Sequence, residues 1–174
     1  MEIDALAPGF ELGDTHGETW SLPAAGEAPA TVLVWTCNHC PYALAWHERI
    51  LDVAKDHCGD GVHFLAINSN DADRYPADSL EAMCERFESE PWPMPYLHDE
   101  TQSVARAYGA RTTPDLFLLD SELHLRYRGA ADADHQDPSQ KAAWLRAAID
   151  SVLRGEEPEP SETEPVGCSI KWRQ

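Results

Sequence analysis

The sequence predicts an α/β sandwich with a mixed central sheet, and three observations carry that expectation. Short apolar, β-branched runs alternate with helical apolar spacing between Thr31 and Glu88. A hairpin pattern and one further helix follow, and 174 residues suit one domain with its own core. In chain order, Phe10 to Leu22 reads as two short strands around the turn Asp14-Thr15-His16-Gly17, closed by Pro23. Thr31 to Thr36 has the composition of a buried central strand. A helix over Pro41 to His57 follows from Trp46, Ile50, Val53 and Ala54 at helical spacing, with Pro41 tolerated in the first turn. Val62 to Asn68 is a second buried strand, Ser79 to Glu88 a polar helix, and Pro91 to Pro95 a proline-rich loop. A short helix over Thr101 to Tyr108 stops at Gly109, a residue suited to a helix C-cap. Leu116 to Leu119 and Leu123 to Arg128 form a hairpin, and Ser139 to Leu153 the last helix. The domain is expected to span 1–155. Residues 156–174 form an acidic, proline-rich tail, extended or mobile to Pro165, whose apolar end can dock back.

The charge is lopsided: 31 Asp and Glu against 13 Lys and Arg, a formal net charge of -18. Such a surface repels phosphates, so no nucleic acid and no anionic membrane is expected as a partner. Five acids cluster in the tail and the rest are spread over the body, a coat compatible with a salty cytoplasm. No apolar stretch is long enough to cross a bilayer, and Met1-Glu2-Ile3-Asp4 lacks the basic and apolar regions of a signal peptide, so a cytoplasmic location is expected. Five cysteines, an odd number, then point to thiols with one redox pair rather than a disulfide framework.

Cys37-Asn38-His39-Cys40-Pro41 lies where a buried strand hands over to a helix. Two cysteines at that spacing can close a small disulfide ring or open to a dithiol. Cys37 is expected to be the nucleophile, favoured by the positive end of the helix, and Cys40, one turn in and more buried, the resolving thiol. Asn38 and His39 sit between them as candidates for tuning the Cys37 pKa, His39 by offering a positive charge to the thiolate. The expected result is a depressed Cys37 pKa and a couple more oxidising than about -270 mV, the thioredoxin value. Zinc needs four ligands, and no second cysteine or histidine pair with ligand spacing occurs, so no metal and no cofactor beyond the Cys37–Cys40 disulfide is expected.

Phe10-Glu-Leu-Gly-Asp, the Cys37 to Pro41 segment, Ala66-Ile-Asn-Ser-Asn-Asp71, Tyr108-Gly-Ala, Thr113-Pro-Asp-Leu-Phe117 and Gly167-Cys-Ser-Ile-Lys-Trp172 together resemble a peroxiredoxin-like group of the thioredoxin family, within the alkyl hydroperoxide reductase/thiol-specific antioxidant superfamily. The resemblance covers nearly the whole chain. It implies a thioredoxin fold with an N-terminal β-hairpin and, as activity, thiol-disulfide oxidoreduction, with thiol peroxidase as the alternative. A peroxiredoxin carries P-x-x-x-T-x-x-C; placing its cysteine at Cys40 puts Leu33 and Cys37 where Pro and Thr belong, and Pro114 where an Arg belongs. Thr113-Pro114 instead resembles the thioredoxin loop that holds a cis bond and offers backbone groups to an extended substrate. The implied partners are a protein or small-molecule disulfide and an electron donor or acceptor of unspecified identity.

Cys58 and Cys84 read as packing residues. Cys168 reads equally as a third redox thiol or a docked structural cysteine. Trp35 and Trp46 are expected to border the site. Asp115, Glu48 or a water could take the proton from Cys40. A further alternative is a non-catalytic thiol or metal-binding module using Cys37, Cys40 and a third ligand such as Cys168 or His39. Ala28 to His47 contains no acid, which suggests a neutral opening in the acidic coat over the cysteines.

Overall fold

The computed structural model describes residues 1–174. Its centre is β3 (Ala30–Trp35), whose six residues are all buried, as its unbroken apolar composition requires. β3 pairs in parallel with β4 (His63–Asn68) and antiparallel with β7 (Asp115–Asp120), which gives the mixed sheet. β8 (Leu125–Gly129) follows β7 through the expected hairpin and forms one edge. At the other side lie β5 (Tyr96–His98) and the hairpin of β1 (Glu11–Asp14) and β2 (Thr19–Ser21), giving the order β2-β1-β5-β4-β3-β7-β8. β5, which follows the expected Pro91 to Pro95 loop and carried no assignment from the sequence, pairs with β4 on one side and β1 on the other, and so joins the N-terminal hairpin to the sheet.

The helices are α1 (Pro41–His57), α2 (Leu80–Ser89), α3 (Ser103–Tyr108) and α4 (Ala143–Leu153). Ser79 caps α2, its hydroxyl accepting from the Ala82 N–H at 3.2 Å. The last helix starts later than expected because Pro138–Gln140 forms a separate 3₁₀ turn and Lys141 and Ala142 adopt left-handed φ of 53° and 56°. Alternation along β3 divides the core. Ala30, Val32 and Val34 face α1 and α4, meeting Trp46, Ile50, Leu145 and Ile149; Leu33 and Trp35 face α3, meeting Val104, Ala105 and Tyr108. A buried ion pair ties α1 to the loop after β8, with Arg49 Nη1 2.7 Å from Asp132 Oδ2 and Trp46 Nε1 donating to Asp132 Oδ1 at 2.6 Å.

The apolar end of the tail is docked on the domain, and the acidic stretch before it, read as extended or mobile, is tied down as well. The Thr163 hydroxyl accepts from the Ala130 N–H at 3.0 Å, Ile170 is buried in the α3-side core, and β9 (Cys168–Ser169) pairs antiparallel with β6 (Thr112–Thr113). Gly129, at φ +134°, makes the tail contact possible: a side chain there would overlap Thr163. Cys84 is half-buried and its thiol donates to the Thr15 carbonyl at 3.2 Å, whereas Cys58, expected to pack, is exposed at the end of α1. No helix is long and apolar enough to cross a membrane.

Candidate active site

β3 ends at Trp35 and α1 begins at Pro41, so Cys37 and Cys40 occupy the handover between them. Cys40 is the N-cap residue, extended at φ -75° and ψ 122°. Both thiols are free and both residues have 0% exposure, which corrects the expectation that Cys40 is the more buried of the two. Around them lie Ala43 and Tyr42 from α1 and Cys168 from the tail; Trp35 and Trp46, expected at the border, belong to the two main cores instead. Thr113 touches both sulfurs. Its hydroxyl is 3.3 Å from Cys37 Sγ, and its carbonyl accepts the Cys40 S–H at 3.0 Å. The Thr113–Pro114 peptide bond is cis.

A latch from the far side of the sheet's end holds the loop. Asp78, fully buried in the turn before α2, accepts the Asn38 backbone N–H at 2.6 Å, Asn68 Nδ2 at 3.2 Å and Asn70 Nδ2 at 2.8 Å. The Asn38 side chain donates to the Ala77 carbonyl at 2.9 Å and accepts from the Tyr96 hydroxyl at 3.0 Å and Arg86 Nη1 at 3.3 Å. Arg86 also donates to the Cys37 carbonyl at 3.0 Å. The Asn38 side chain bonds to Ala77, Tyr96 and Arg86, and none of these bonds reaches a sulfur. His39 points its Nδ1 at Asp78 Oδ2, 2.5 Å away, an ion-pair contact outside hydrogen-bond angles, and stacks on Tyr75 with the rings 3° from parallel.

Asp78, Tyr96 and Arg86 escaped the sequence reading, and Asp78 overturns the idea of a neutral opening. The acid-free stretch is real, but folding brings a carboxylate beneath it from forty residues along. Cys37 Sγ, a His39 ring nitrogen and an Asp78 oxygen all lie within 4.8 Å of one another. These three offer the donor chemistry of a partial transition-metal site, one thiolate, one imidazole and one carboxylate. A second group, His47, Glu48 and Glu90, lies where the middle of α1 meets the end of α2. Of the carboxylates considered as proton acceptors, Glu48 is exposed and Asp115, though fully buried, bonds the Arg111 N–H and pairs with Arg128.

The two thiols titrate as a unit. Cys37 is pushed up, first by the proton it shares with Cys40, then by burial and by the Asp78 carboxylate. Cys40 is drawn down, because Cys37 and Cys168 both favour its anion. Against that pull stands the bond to the Thr113 carbonyl, which only the protonated Cys40 thiol makes. Cys37 is held up in either case, so the expected depressed pKa is not found in this arrangement. His39 Nδ1 faces the Asp78 carboxylate. What the site offers is a dithiol closed from solvent, with an imidazole-carboxylate pair beside its first sulfur.

The whole fold is shared with two solved structures. A hypothetical protein from Sinorhizobium meliloti 1021 is 36% identical, with a TM-score of 0.93 over 99% of this chain and 96% of that one. An uncharacterized conserved protein from Geobacillus kaustophilus is 38% identical, with a TM-score of 0.91 over 99% and 93%. Peroxidoxin BcpB from Mycobacterium tuberculosis, 18% identical over 89% of this chain and 97% of that one, has a TM-score of 0.65 and shares the thioredoxin-like fold. No curated protein matches the sequence. Residues 3–128, most of the chain, match the AhpC/TSA family, and the chain belongs to that family, in which thiol-disulfide exchange and peroxide reduction are the supported chemistries.

Proposed function

We propose that the protein is a thiol-disulfide oxidoreductase that works through the Cys37–Cys40 pair. The observation that carries this reading is that two free thiols meet at the start of α1 with Thr113, the residue before a cis proline, touching both. Cys37 attacks a sulfur of the substrate disulfide, passing its proton to the adjacent His39–Asp78 pair; a thiol held up by its surroundings needs such a base. One substrate thiolate leaves. Cys40 then gives up its proton to the departing sulfur, attacks Cys37 Sγ, releases the second substrate thiol and closes the Cys37–Cys40 disulfide, which an external dithiol reopens. The partners are a protein or small-molecule disulfide and a separate electron donor or acceptor, with no cofactor beyond the cysteine pair. The net charge of -18 fits a cytoplasmic role away from nucleic acid and anionic membrane.

Peroxide reduction fits the site less well. The guanidinium bonded into the cysteine loop, that of Arg86, holds the Cys37 carbonyl and Asn38 rather than a sulfur, so no such group is set to orient a peroxide there. Reduction of insulin disulfides tests the reading. Cys37→Ser should abolish turnover and Cys40→Ser should accumulate mixed disulfides; normal turnover by either variant overturns the assignment. Stoichiometric zinc binding by the reduced protein, with no disulfide reduction, would establish a metal-binding module in its place.

A further inference from the structure

The cysteine pair is sealed, and a third thiol forms part of the seal. Cys37 and Cys40 have no exposure, whereas Cys168 is half-buried and packs against the cluster they form with Ala43, next to Cys40. Its position is set by backbone pairing: β9 lies antiparallel to β6 with Cys168 directly opposite Thr113, the residue that touches both buried sulfurs. The strand is firmly held. Ile170 is buried, its N–H donates to the Arg111 carbonyl at 3.0 Å, and the Lys171 backbone bonds Asn70, Asp71 and Gln102. Gly167 runs so close to Thr113 that a Cβ would overlap its carbonyl oxygen and lie 2.7 Å from its carbonyl carbon. The tail thus lies along the backbone edge beside the cis proline, the edge at which an extended substrate strand would pair, and it presents a cysteine where a substrate cysteine would be.

We infer that Cys168 is the third member of the exchange, an internal substrate through which a disulfide passes between the buried Cys37–Cys40 pair and the surface. This deepens the reading of the site as a disulfide exchanger and rests on it, and it moves the first contact with an external disulfide from the sealed Cys37 to the half-buried Cys168. In the outward direction the Cys168 thiolate attacks Cys40 Sγ. A Cys40–Cys168 bond forms, the Cys37–Cys40 bond breaks, and Cys37 leaves as a thiolate and takes the proton that Cys168 gave up. The step is an isomerisation and consumes no oxidant. An external thiolate then attacks Cys168 Sγ at the surface, forming a mixed disulfide there and releasing Cys40 as its thiolate; a second external thiolate resolves it. Run in reverse, the same steps carry an external disulfide inward. Cys40 is the pivot, flanked by a partner on each side.

Oxidation with glutathione disulfide, followed by alkylation and peptide mass mapping, tests the inference. In Cys37→Ser the expected product is an intramolecular Cys40–Cys168 disulfide. In wild type it is Cys37–Cys40, and reopening of that bond by reduced glutathione should slow at least tenfold in Cys168→Ser, whose tail still covers the pair. A wild type that closes Cys37–Cys40 while Cys37→Ser leaves Cys40 and Cys168 unlinked, or a Cys168→Ser variant reduced as fast as wild type, overturns the relay alone. A wild type in which Cys37–Cys40 never closes overturns the exchanger reading beneath it.

Discussion

Replacing Asp78 with Asn removes the charge under the cysteine loop and leaves the volume unchanged, so its effect can be worked out bond by bond. The carboxylate receives the Asn38 N–H at 2.6 Å, Asn68 Nδ2 at 3.2 Å and Asn70 Nδ2 at 2.8 Å, and faces His39 Nδ1. An amide has one acceptor atom. If its oxygen keeps Asn38 and Asn68, its nitrogen meets the Asn70 amide and the imidazole, and a donor on a 3%-exposed residue loses its partner. A lost bond to a charged group costs about 1.5–3 kcal/mol, and weakening of the two that remain brings the total to about 3 kcal/mol. That is a large part of an ordinary domain's roughly 5–15 kcal/mol, yet leaves the fold standing. The Cys37 thiol, no longer beside a carboxylate, should fall back toward the ordinary range. Urea unfolding under reducing conditions reads the first effect, and the pH dependence of iodoacetamide alkylation at Cys37, followed by mass mapping, reads the second. Stability within about 0.5 kcal/mol of wild type, the scatter of an ordinary surface substitution, together with an unmoved alkylation profile, would refute the latch.

Other substitutions probe other links. Gly167→Ala should force β9 off β6 and raise the alkylation rate of Cys37 and Cys40 at least tenfold; an unchanged rate would mean that the tail does not seal the pair. Arg49→Met leaves Asp132 charged and buried without its partner and should cost about 3–5 kcal/mol in urea unfolding. Asp115 is pushed up to about 6 by burial, so the folded chain keeps this proton where the unfolded chain, at about 3.9, has lost it. Its raised value therefore subtracts stability as pH climbs from about 4 to 6. Relative to wild type, Asp115→Asn should gain about 3 kcal/mol between pH 4 and 7. A difference that does not change with pH would remove burial as the cause.

How much of this could be read in the sequence depended on the range of the interaction. α1 was legible to the residue because Trp46, Ile50, Val53 and Ala54 mark one face and Pro41 marks its start. β3 and β4 were legible because a strand buried on both faces is apolar without a break. β5 was not: Tyr96–His98 is three residues after a proline cluster, and only its pairing with β1 and β4 makes it a strand. The cysteines and the cis proline carried local motifs. Asp78 carried none, being one acid among 31 in a turn before a polar helix, and only the folding of β4 and α2 onto the loop sets it under Asn38. The acidic stretch of the tail was read as extended or mobile for a related reason: such composition favours mobility on average, but Thr163 finds a specific partner at Ala130, while the apolar end beyond it carried its own signal in Ile170 and Trp172.

The proposed chemistry requires Cys37 and Cys40 to be a working dithiol-disulfide couple. Equilibration of the protein in glutathione buffers of graded poise, with acid quenching, alkylation and peptide mass analysis, tests it most directly. One two-electron transition is expected, in which a Cys37–Cys40 link appears with the loss of two hydrogens. Cysteines 37 and 40 that stay alkylatable through the most oxidising buffer would contradict it.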